Sequence, residues 1–385
     1  MRGRQAVILA GGKGTRLASV VRDVPKPMAQ VGGRPFLRFI LDNLSENGFG
    51  RVVIADGYKR EVIESFFGSG YRGMKILYSS EESPLLTGGA VKKALSLCES
   101  GWAFVLNGDT FFDVDYDRFE ATARTAPGSV EAVLALKEVK GTSRYGTVHV
   151  ARDGMVESFV EKQHIEEGLI NGGVYYMKAD ALKCKPKVFS LEEEYLRAAA
   201  DRGSLLGVVC DGEFIDIGIP EDYERAQALL PPLVKPWKIA FFDRDGTINV
   251  DTGHLHEPEK LILIDEGVEK LRYYSQRPEY KVVVVTNQAG IAKGLYTEND
   301  MHIVHRALDE ALEQLDCRID AYYFCPHHPD FTDPCNCRKP NAGMIYQALR
   351  DFDASASDCI MFGDKQTDKQ AAIMAGVRFE WIKHE

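Results

Sequence analysis

Residues 325–340 read CPHHPDFTDPCNCRKP and hold three of the chain's eight cysteines and two of its nine histidines. Cys325 and His327 form one ligand pair, and Cys335 and Cys337 a second, all within thirteen residues. Three thiolates and one imidazole make a closed tetrahedral set, the kind that holds a structural Zn²⁺. His328 is the spare, because adjacent side chains do not easily reach one ion. Arg338 and Lys339 follow the last ligand directly. A metal here would fix the loop and aim two cations at whatever lies beside it.

Oxygen ligands gather in three other places. FFDRDGTIN (241–249) runs an apolar stretch into Asp243 and Asp245; VVVVTNQAG ends in Thr286 and Asn287; IMFGDKQTD ends in Gly363 and Asp364, with Asp368 one turn further. Carboxylates, a hydroxyl and a nearby lysine suit a Mg²⁺ site in which one carboxylate attacks. Near the start, LAGGKGTRL (9–17) has a different chemistry. Gly11, Gly12 and Gly14 let backbone N–H groups approach phosphates, and Lys13 and Arg16 add charge. The spacing is neither that of a dinucleotide loop nor that of a Walker loop. Lys26, in PKPM, comes ten residues on, beside the same loop.

Such groups need a scaffold that presents them together. Short apolar runs alternate with helical patterns along the chain: QAVILA (5–10), RVVIAD (51–56), WAFVLN (102–107), VEAVLAL (130–136), KIAFFD (238–243), KVVVVT (281–286) and CIMFGD (359–364). Runs that are apolar throughout fit strands buried on both faces of a parallel sheet. Strands interleaved with helices imply α/β architecture in three layers, Rossmann-like, with ligands at the carboxyl ends of the strands. LLPPLVKPW (229–237) breaks the pattern, since its prolines cannot continue a helix. The expected organisation is therefore a domain at 1–230, a Pro-rich linker at 231–236 and a second domain at 237–385. The EEEY run (192–195) reads as a solvated helix face, and the scattered Cys98, Cys184, Cys210, Cys317 and Cys359 as core residues rather than ligands.

Composition sets outer bounds. The 385 residues are 45% hydrophobic and 27% charged, which is ordinary for a soluble protein with two or three cores. A formal net charge of −10 repels nucleic acid and anionic membrane in bulk, so neither partner is expected and bound anions must be held by local groups. No apolar run approaches the roughly 20 residues of a spanning helix, and the start lacks a signal-peptide pattern. A cytoplasmic location is expected, where thiols stay reduced and clustered cysteines serve as metal ligands.

The order D-x-D-G-T, strand-end threonine, lysine, G-D-x-x-x-D over the second domain resembles the haloacid dehalogenase superfamily. The resemblance implies that Asp243 is the nucleophile, forming an aspartyl phosphate, and Asp245 the general acid and base. Mg²⁺ would take the Asp243 carboxylate, the Asp245 carbonyl and Asp364, while Thr286, Asn287 and Lys339, with Arg338 beside it, would hold phosphoryl oxygens. With DRDGTINVDTGHLHEPEKL, TNQAGIAKG, CPHHP, CRKPNAGM and GDKQTD, the domain is similar to the zinc-loop phosphatases that act on heptose bisphosphates, with the histidinol phosphatases next to them. The first domain's G-x-G-T-R and P-K-P resemble the sugar-phosphate nucleotidyltransferases, with heptose-1-phosphate guanylyltransferases the best match. That resemblance makes Arg16 and Lys26 catalytic and puts Gly11, Gly12, Gly14 and Thr15 on the triphosphate. It puts Thr87 and Gly88 at the base, Asp109 and Asp216 on Mg²⁺, and Lys162, Asn171 and Gly172 on the sugar phosphate. The joint expectation is a bifunctional enzyme with a nucleoside triphosphate and a phosphorylated heptose as substrates: a phosphomonoesterase makes a sugar 1-phosphate, and a nucleotidyltransferase consumes it. A hexose-1-phosphate transferase joined to a histidinol-phosphatase-like half, or a non-catalytic phosphate-binding scaffold, is the alternative.

Overall fold

Strand β1 (Arg4–Leu9) shows why apolar runs dominate the chain. Its central residues Ala6, Val7 and Ile8 are wholly buried, and they alternate between two separate hydrophobic cores, Ala6 and Ile8 in one and Val7 in the other. A strand with a helical layer on each face has no polar side, and each fully buried Val or Ile contributes about 1.5–3 kcal/mol. The computed structural model describes residues 3–12, 17, 24–81, 83–99, 101–140, 146–160, 167–234 and 236–383. The chain divides into two units, Met1–Val234 and Lys235–Glu385.

In the first unit β1 runs parallel to β2 (Phe49–Ala55) on one side and to β4 (Trp102–Asn107) on the other, while β3 (Met74–Tyr78) extends the parallel set beyond β2. The chain therefore leaves β1 in one direction and returns on its far side. That reversal opens a crevice at the carboxyl ends of β1 and β4, where α/β sheets bind ligands. Helix α1 (Leu86–Leu95) covers one face. The mixed remainder of the sheet is built from β6 (Ala132–Lys140), antiparallel to β7 (Glu167–Lys178) and parallel to β8 (Leu205–Val209). Two short strands, β5 (Thr110–Phe112) and β9 (Phe214–Asp216), pair antiparallel with Asp216 opposite Thr110.

The second unit is a five-stranded parallel sheet. Its order runs β12 (Ala321–Cys325), β11 (Tyr280–Asn287), β10 (Lys238–Phe242), β13 (Ile360–Gly363) and β14 (Arg378–Trp381). Here too alternate residues of the central strand feed two cores, Ile239 and Phe241 in one, Ala240 and Phe242 in the other. Helix α2 (Glu298–Glu313) opens with a capping box between Thr297 and Asp300 and buries Met301, Val304, His305, Leu308 and Leu312, one stripe at helical spacing. The switch between β10 and β13 brings Asp243 and Asp364 to neighbouring strand ends.

Candidate active sites

In the first unit a cleft of about 580 Å³ opens at the carboxyl ends of β1 and β4. Gly11 and Gly12, Lys26, Thr87, Asp109 and Asp216 all line it. The pairing of β5 with β9 is what carries Asp216, distant in sequence, to Asp109; the Ile217 amide also donates to the Asp109 carbonyl at 3.0 Å. The Lys26 ammonium lies between the two carboxylates, 2.5 Å from Asp109 Oδ2 and 3.5 Å from Asp216 Oδ1. Burial and the Asp109 charge push the Asp216 carboxyl above its usual range, and Lys26 pulls it back. Two converging carboxylates and an ammonium can bind a divalent cation and phosphates. Gly14, Thr15, Arg16 and Lys162 lie outside the described residues.

Three expected site residues have structural tasks of their own here, and one expected surface run is solvated only in part. Asn171 does not offer its side chain to the cleft: its amide donates to the Tyr175 hydroxyl at 2.8 Å and its oxygen accepts from the Gly173 N–H at 3.1 Å. It pins an irregularity in β7. Gly172 is small for packing, because a Cβ there would stand 2.4 Å from the Phe112 ring. Gly88 is small for the same kind of reason, with Phe189 2.3 Å from a Cβ and accepting the Gly88 N–H at 3.0 Å. The EEEY run is a solvated face only in part, with Glu193 and Glu194 exposed. It belongs to a π-helical turn, Leu191–Leu196, which buries Tyr195 and turns Glu192 into the cleft, where its carboxylate accepts from the Thr87 hydroxyl at 2.7 Å. Glu192, Glu81 and Asn107 are cleft residues that motif reading missed. No spacing rule marked them, although π turns recur at functional sites.

Leu86 stands at the mouth of this cleft, 55% exposed, with φ +60°. A side chain in the left-handed region costs about 1–2 kcal/mol, which glycine escapes at the expense of backbone entropy. Leu86→Gly is therefore expected to raise stability, by up to about 1 kcal/mol, and Leu86→Val to lower it. Urea midpoints of the three proteins would check this.

In the second unit Lys339 is the hub. Its ammonium is 3% exposed and lies 2.8 Å from Asp243 Oδ1, 2.7 Å from Asp368 Oδ1 and 2.8 Å from the Val285 carbonyl. Asp243, Asp364 and Asp368 each place a carboxylate oxygen within 4.8 Å of the others, so the three could hold a metal ion. Asp368 enters the site as a full member, wholly buried, where the sequence placed it only one turn beyond. Gly246 permits the arrangement twice over: its φ is +89°, and a Cβ would fall 2.3 Å from Asp364 Oδ2. Burial pushes the Asp243 carboxyl up, and the Lys339 charge opposes it.

Asp245 faces a different set. Its carboxylate accepts from Arg244 Nε and Nη2 at 3.1 and 2.8 Å, from Asn249 Nδ2 at 3.0 Å and from Gln288 Nε2 at 3.1 Å. Gln288 also donates to the buried Thr286 hydroxyl at 2.8 Å and is itself fixed by the Tyr296 hydroxyl at 2.6 Å. Asn287 has a structural task as well. Its side-chain amide pairs with the Lys339 backbone in both directions, donating to the carbonyl and accepting from the N–H at 3.0 Å each. It positions the lysine.

The four soft ligands converge. Cys325 Sγ lies 3.6 Å from His327 Nδ1, 3.7 Å from Cys335 Sγ and 3.1 Å from Cys337 Sγ, and His327 Nδ1 lies 3.3 Å from Cys337 Sγ. Donor atoms around a tetrahedral ion with bonds of about 2.0–2.3 Å stand roughly 3.3–3.8 Å apart, so the cluster fits a metal of that size. Arg338 donates to the His327 carbonyl at 3.1 Å, which ties the cluster to the residue before Lys339.

Residues 5–231 match the nucleotidyl transferase family. The chain belongs to that family. Its nucleotidyl transferase unit is 43% identical over 226 residues to the D-glycero-alpha-D-manno-heptose 1-phosphate guanylyltransferase of Aneurinibacillus thermoaerophilus, covering 58% of this chain and 96% of that protein. The crystal structure of HddC from Yersinia pseudotuberculosis, complexed with GMP-PN, superimposes with a TM-score of 0.53 at 36% identity over 58% of this chain and 98% of that one. Residues 238–379 match the polynucleotide kinase 3 phosphatase family. This phosphatase unit, of the haloacid dehalogenase type, is 44% identical over 145 residues to the D-glycero-beta-D-manno-heptose-1,7-bisphosphate 7-phosphatase of Salmonella typhi, covering 36% of this chain and 75% of that protein. The nucleotidyl transferase chain is thus a bifunctional enzyme, with a transferase and a phosphomonoesterase in tandem. Among the described residues no helix is long and apolar enough to cross a membrane.

Proposed function

We propose that the phosphatase unit removes the 7-phosphate of D-glycero-D-manno-heptose 1,7-bisphosphate and that the transferase unit joins the resulting heptose 1-phosphate to GMP from GTP, releasing pyrophosphate. The observation that carries this reading is the pairing: the two halves resemble enzymes whose reactions on one sugar are consecutive. The location would be the cytoplasm, where all eight cysteines, unpaired here, stay reduced.

In the phosphatase unit Asp243 attacks phosphorus. A bond forms between its carboxylate oxygen and the phosphoryl group, and the bond to the sugar oxygen breaks. Asp245 gives the leaving alkoxide a proton, then takes one from the water that hydrolyses the aspartyl phosphate. To do so its carboxyl must exchange part of the Arg244 fork for substrate oxygen. Lys339 stays against the nucleophile and takes up phosphoryl charge. Asp243, Asp364, Asp368 and the Asp245 carbonyl are the groups that would hold Mg²⁺, which supplies charge neutralisation between carboxylate and phosphate. Thr286 orients Gln288 and offers a hydroxyl to the phosphate.

The transferase unit needs no protein nucleophile. The sugar-phosphate oxygen attacks the α-phosphorus and pyrophosphate leaves, so catalysis is alignment and charge neutralisation. Asp109 and Asp216 are the residues that would hold Mg²⁺ there. Lys26 and Arg16 would stabilise the triphosphate, with Gly11, Gly12, Gly14 and Thr15 as its backbone cradle, and Lys162 would hold the sugar phosphate.

The relatives differ in anomer, alpha for the transferase and beta for the phosphatase. Consecutive reactions on one chain require the phosphatase unit to accept the alpha form. A ³¹P NMR time course with each anomer of the bisphosphate, Mg²⁺ and equal GTP, ATP, CTP and UTP tests this. Phosphate, then pyrophosphate and a GDP-sugar, is expected from the alpha anomer. Phosphate from the beta anomer alone would break the sequence, and no phosphate from either would bring forward the histidinol or hexose alternatives.

We assign the Cys325, His327, Cys335 and Cys337 cluster to structural Zn²⁺, whose task is to hold the loop that carries Lys339. Removing it with a chelator and restoring Mg²⁺ alone is expected to lower phosphate release by about 10–100-fold and leave transfer intact. Full phosphatase activity in protein shown to be zinc-free would sink this assignment.

A further inference from the structure

A second cavity in the transferase unit, of about 410 Å³, lies behind the cleft wall and is lined by Ser83, Leu85, Gly89, Lys92, Lys93, Ser96 and Lys187. Three lysines thus line one space in a chain of net charge −10. Lys92 Nζ donates to the Lys185 carbonyl and Lys93 Nζ to the Ser80 carbonyl at 2.6 Å. Among the described residues none of the three is ion-paired with a carboxylate, although acids outnumber bases by ten in the whole sequence. Lys187 closes the stretch KCKPK (183–187), three lysines with no acid between them. Uncompensated like charges around a concave site raise the local concentration of anions.

The wall is also shared. Leu86, Thr87 and Ala90 face the catalytic cleft, while Leu85, Gly89 and Lys92 face the lysine cavity, all on the first turns of α1 or the residue before it. That turn is locked to the residues that closely follow the KCKPK segment. Phe189 N–H donates to the Leu85 carbonyl at 3.3 Å, Gly88 N–H to the Phe189 carbonyl at 3.0 Å and Leu191 N–H to the Thr87 hydroxyl at 2.9 Å. The Lys187 carbonyl sits so close to Gly89 that a Cβ there would stand 2.3 Å away. A ligand drawing Lys187 toward Lys92 and Lys93 therefore pulls on the backbone that holds Thr87 and Glu192 in the cleft.

We infer that the lysine cavity is a second, regulatory anion site that takes a diphosphate group, free or carried by a nucleotide sugar, and that its occupancy acts on the transferase cleft through the 85–89 turn. Three lysine side chains, free to turn their charge to a ligand, match the charge of a diphosphate, and the volume falls within the range of small-ligand sites.

The test is a stoichiometric binding titration of the full chain with inorganic pyrophosphate and, separately, with GDP-mannose. Wild type is compared with Lys93→Gln/Lys187→Gln, both exposed positions outside the catalytic machinery, and with Lys187→Gln alone. Wild type is expected to bind one more equivalent than the double variant, or to bind it at least about tenfold more tightly, with the single variant between them. GDP-mannose should also inhibit transfer in wild type in a way that raising GTP does not relieve, and should lose that mode in the double variant, whose rate without effector stays at the wild-type level. Lysine-dependent binding of pyrophosphate and GDP-mannose alike assigns the diphosphate alone as the determinant. Binding of GDP-mannose only assigns the nucleotide sugar, and of pyrophosphate only, the free ion. Equal stoichiometry and affinity in all three proteins for both probes overturns the site. Lysine-dependent binding with purely GTP-competitive inhibition overturns its action on the cleft.

Discussion

Replacing Asp243 with Asn is expected to abolish phosphate release, by about a thousandfold or more, and to leave nucleotidyl transfer within about twofold of wild type. The substitution keeps the shape of the side chain and removes its nucleophilicity, since a neutral amide does not displace an alkoxide. It also leaves Lys339 with a partner, because Asp368 lies 2.7 Å away on its other side. The protein should therefore fold. Two acids confined with one ammonium is a costly arrangement, and a site of that kind is relieved when one acid becomes neutral, so the melting temperature should hold or rise. Parallel assays of inorganic phosphate and of nucleotide sugar on one preparation check both halves. Equal loss of the two activities would undercut the two-site reading.

Lys26→Met is expected to do the converse, lowering nucleotidyl transfer by about 10²–10³ and sparing phosphate release. The ammonium lies 2.5 Å from Asp109 and 3.5 Å from Asp216, so it neutralises the pair when nothing else does. With it gone the two carboxylates face each other uncompensated. A divalent cation should then bind the free protein more tightly while turnover falls, because the metal gains what the lysine gave up but the triphosphate loses a cation it needs. Manganese titration followed by relaxation enhancement separates these effects. Weaker metal binding together with lost activity would mean that Lys26 supports the fold of the site instead of its charge.

The architecture was legible because the strands lack alternation. QAVIL, KIAFF and KVVVV have no polar face, and a strand without one must be covered twice, which fixes three layers before any contact is known. Clustered ligands were legible for a similar reason: Cys325, His327, Cys335 and Cys337 lie near enough in sequence that one loop brings them together. Residues whose meaning depends on a partner far along the chain were not. The glycine at 88 reads as a ligand loop until Phe189 is packed on it, and Asn171 as a sugar contact until Tyr175 and Gly173 claim its amide. Glu192 hid in an acidic run whose helical period failed, since a π turn rotates the residues away from the face that a regular helix would give them. The bond between Asn287 and the Lys339 backbone was hidden in the same way, since it joins residues 52 apart in sequence.

Each unit carries its own lysine wedged among the acids, Lys26 in one and Lys339 in the other. A protein built this way brings an internal counter-ion to both reaction centres before any magnesium arrives. Purification in magnesium-free buffer should thus give an enzyme that is dormant but intact, switched on within the mixing time when the ion is restored. The Cys and His cluster has no such built-in substitute, and material stripped of the zinc proposed for it should age, crosslink and recover slowly or not at all. The two kinds of metal dependence in one chain can be told apart by the clock alone.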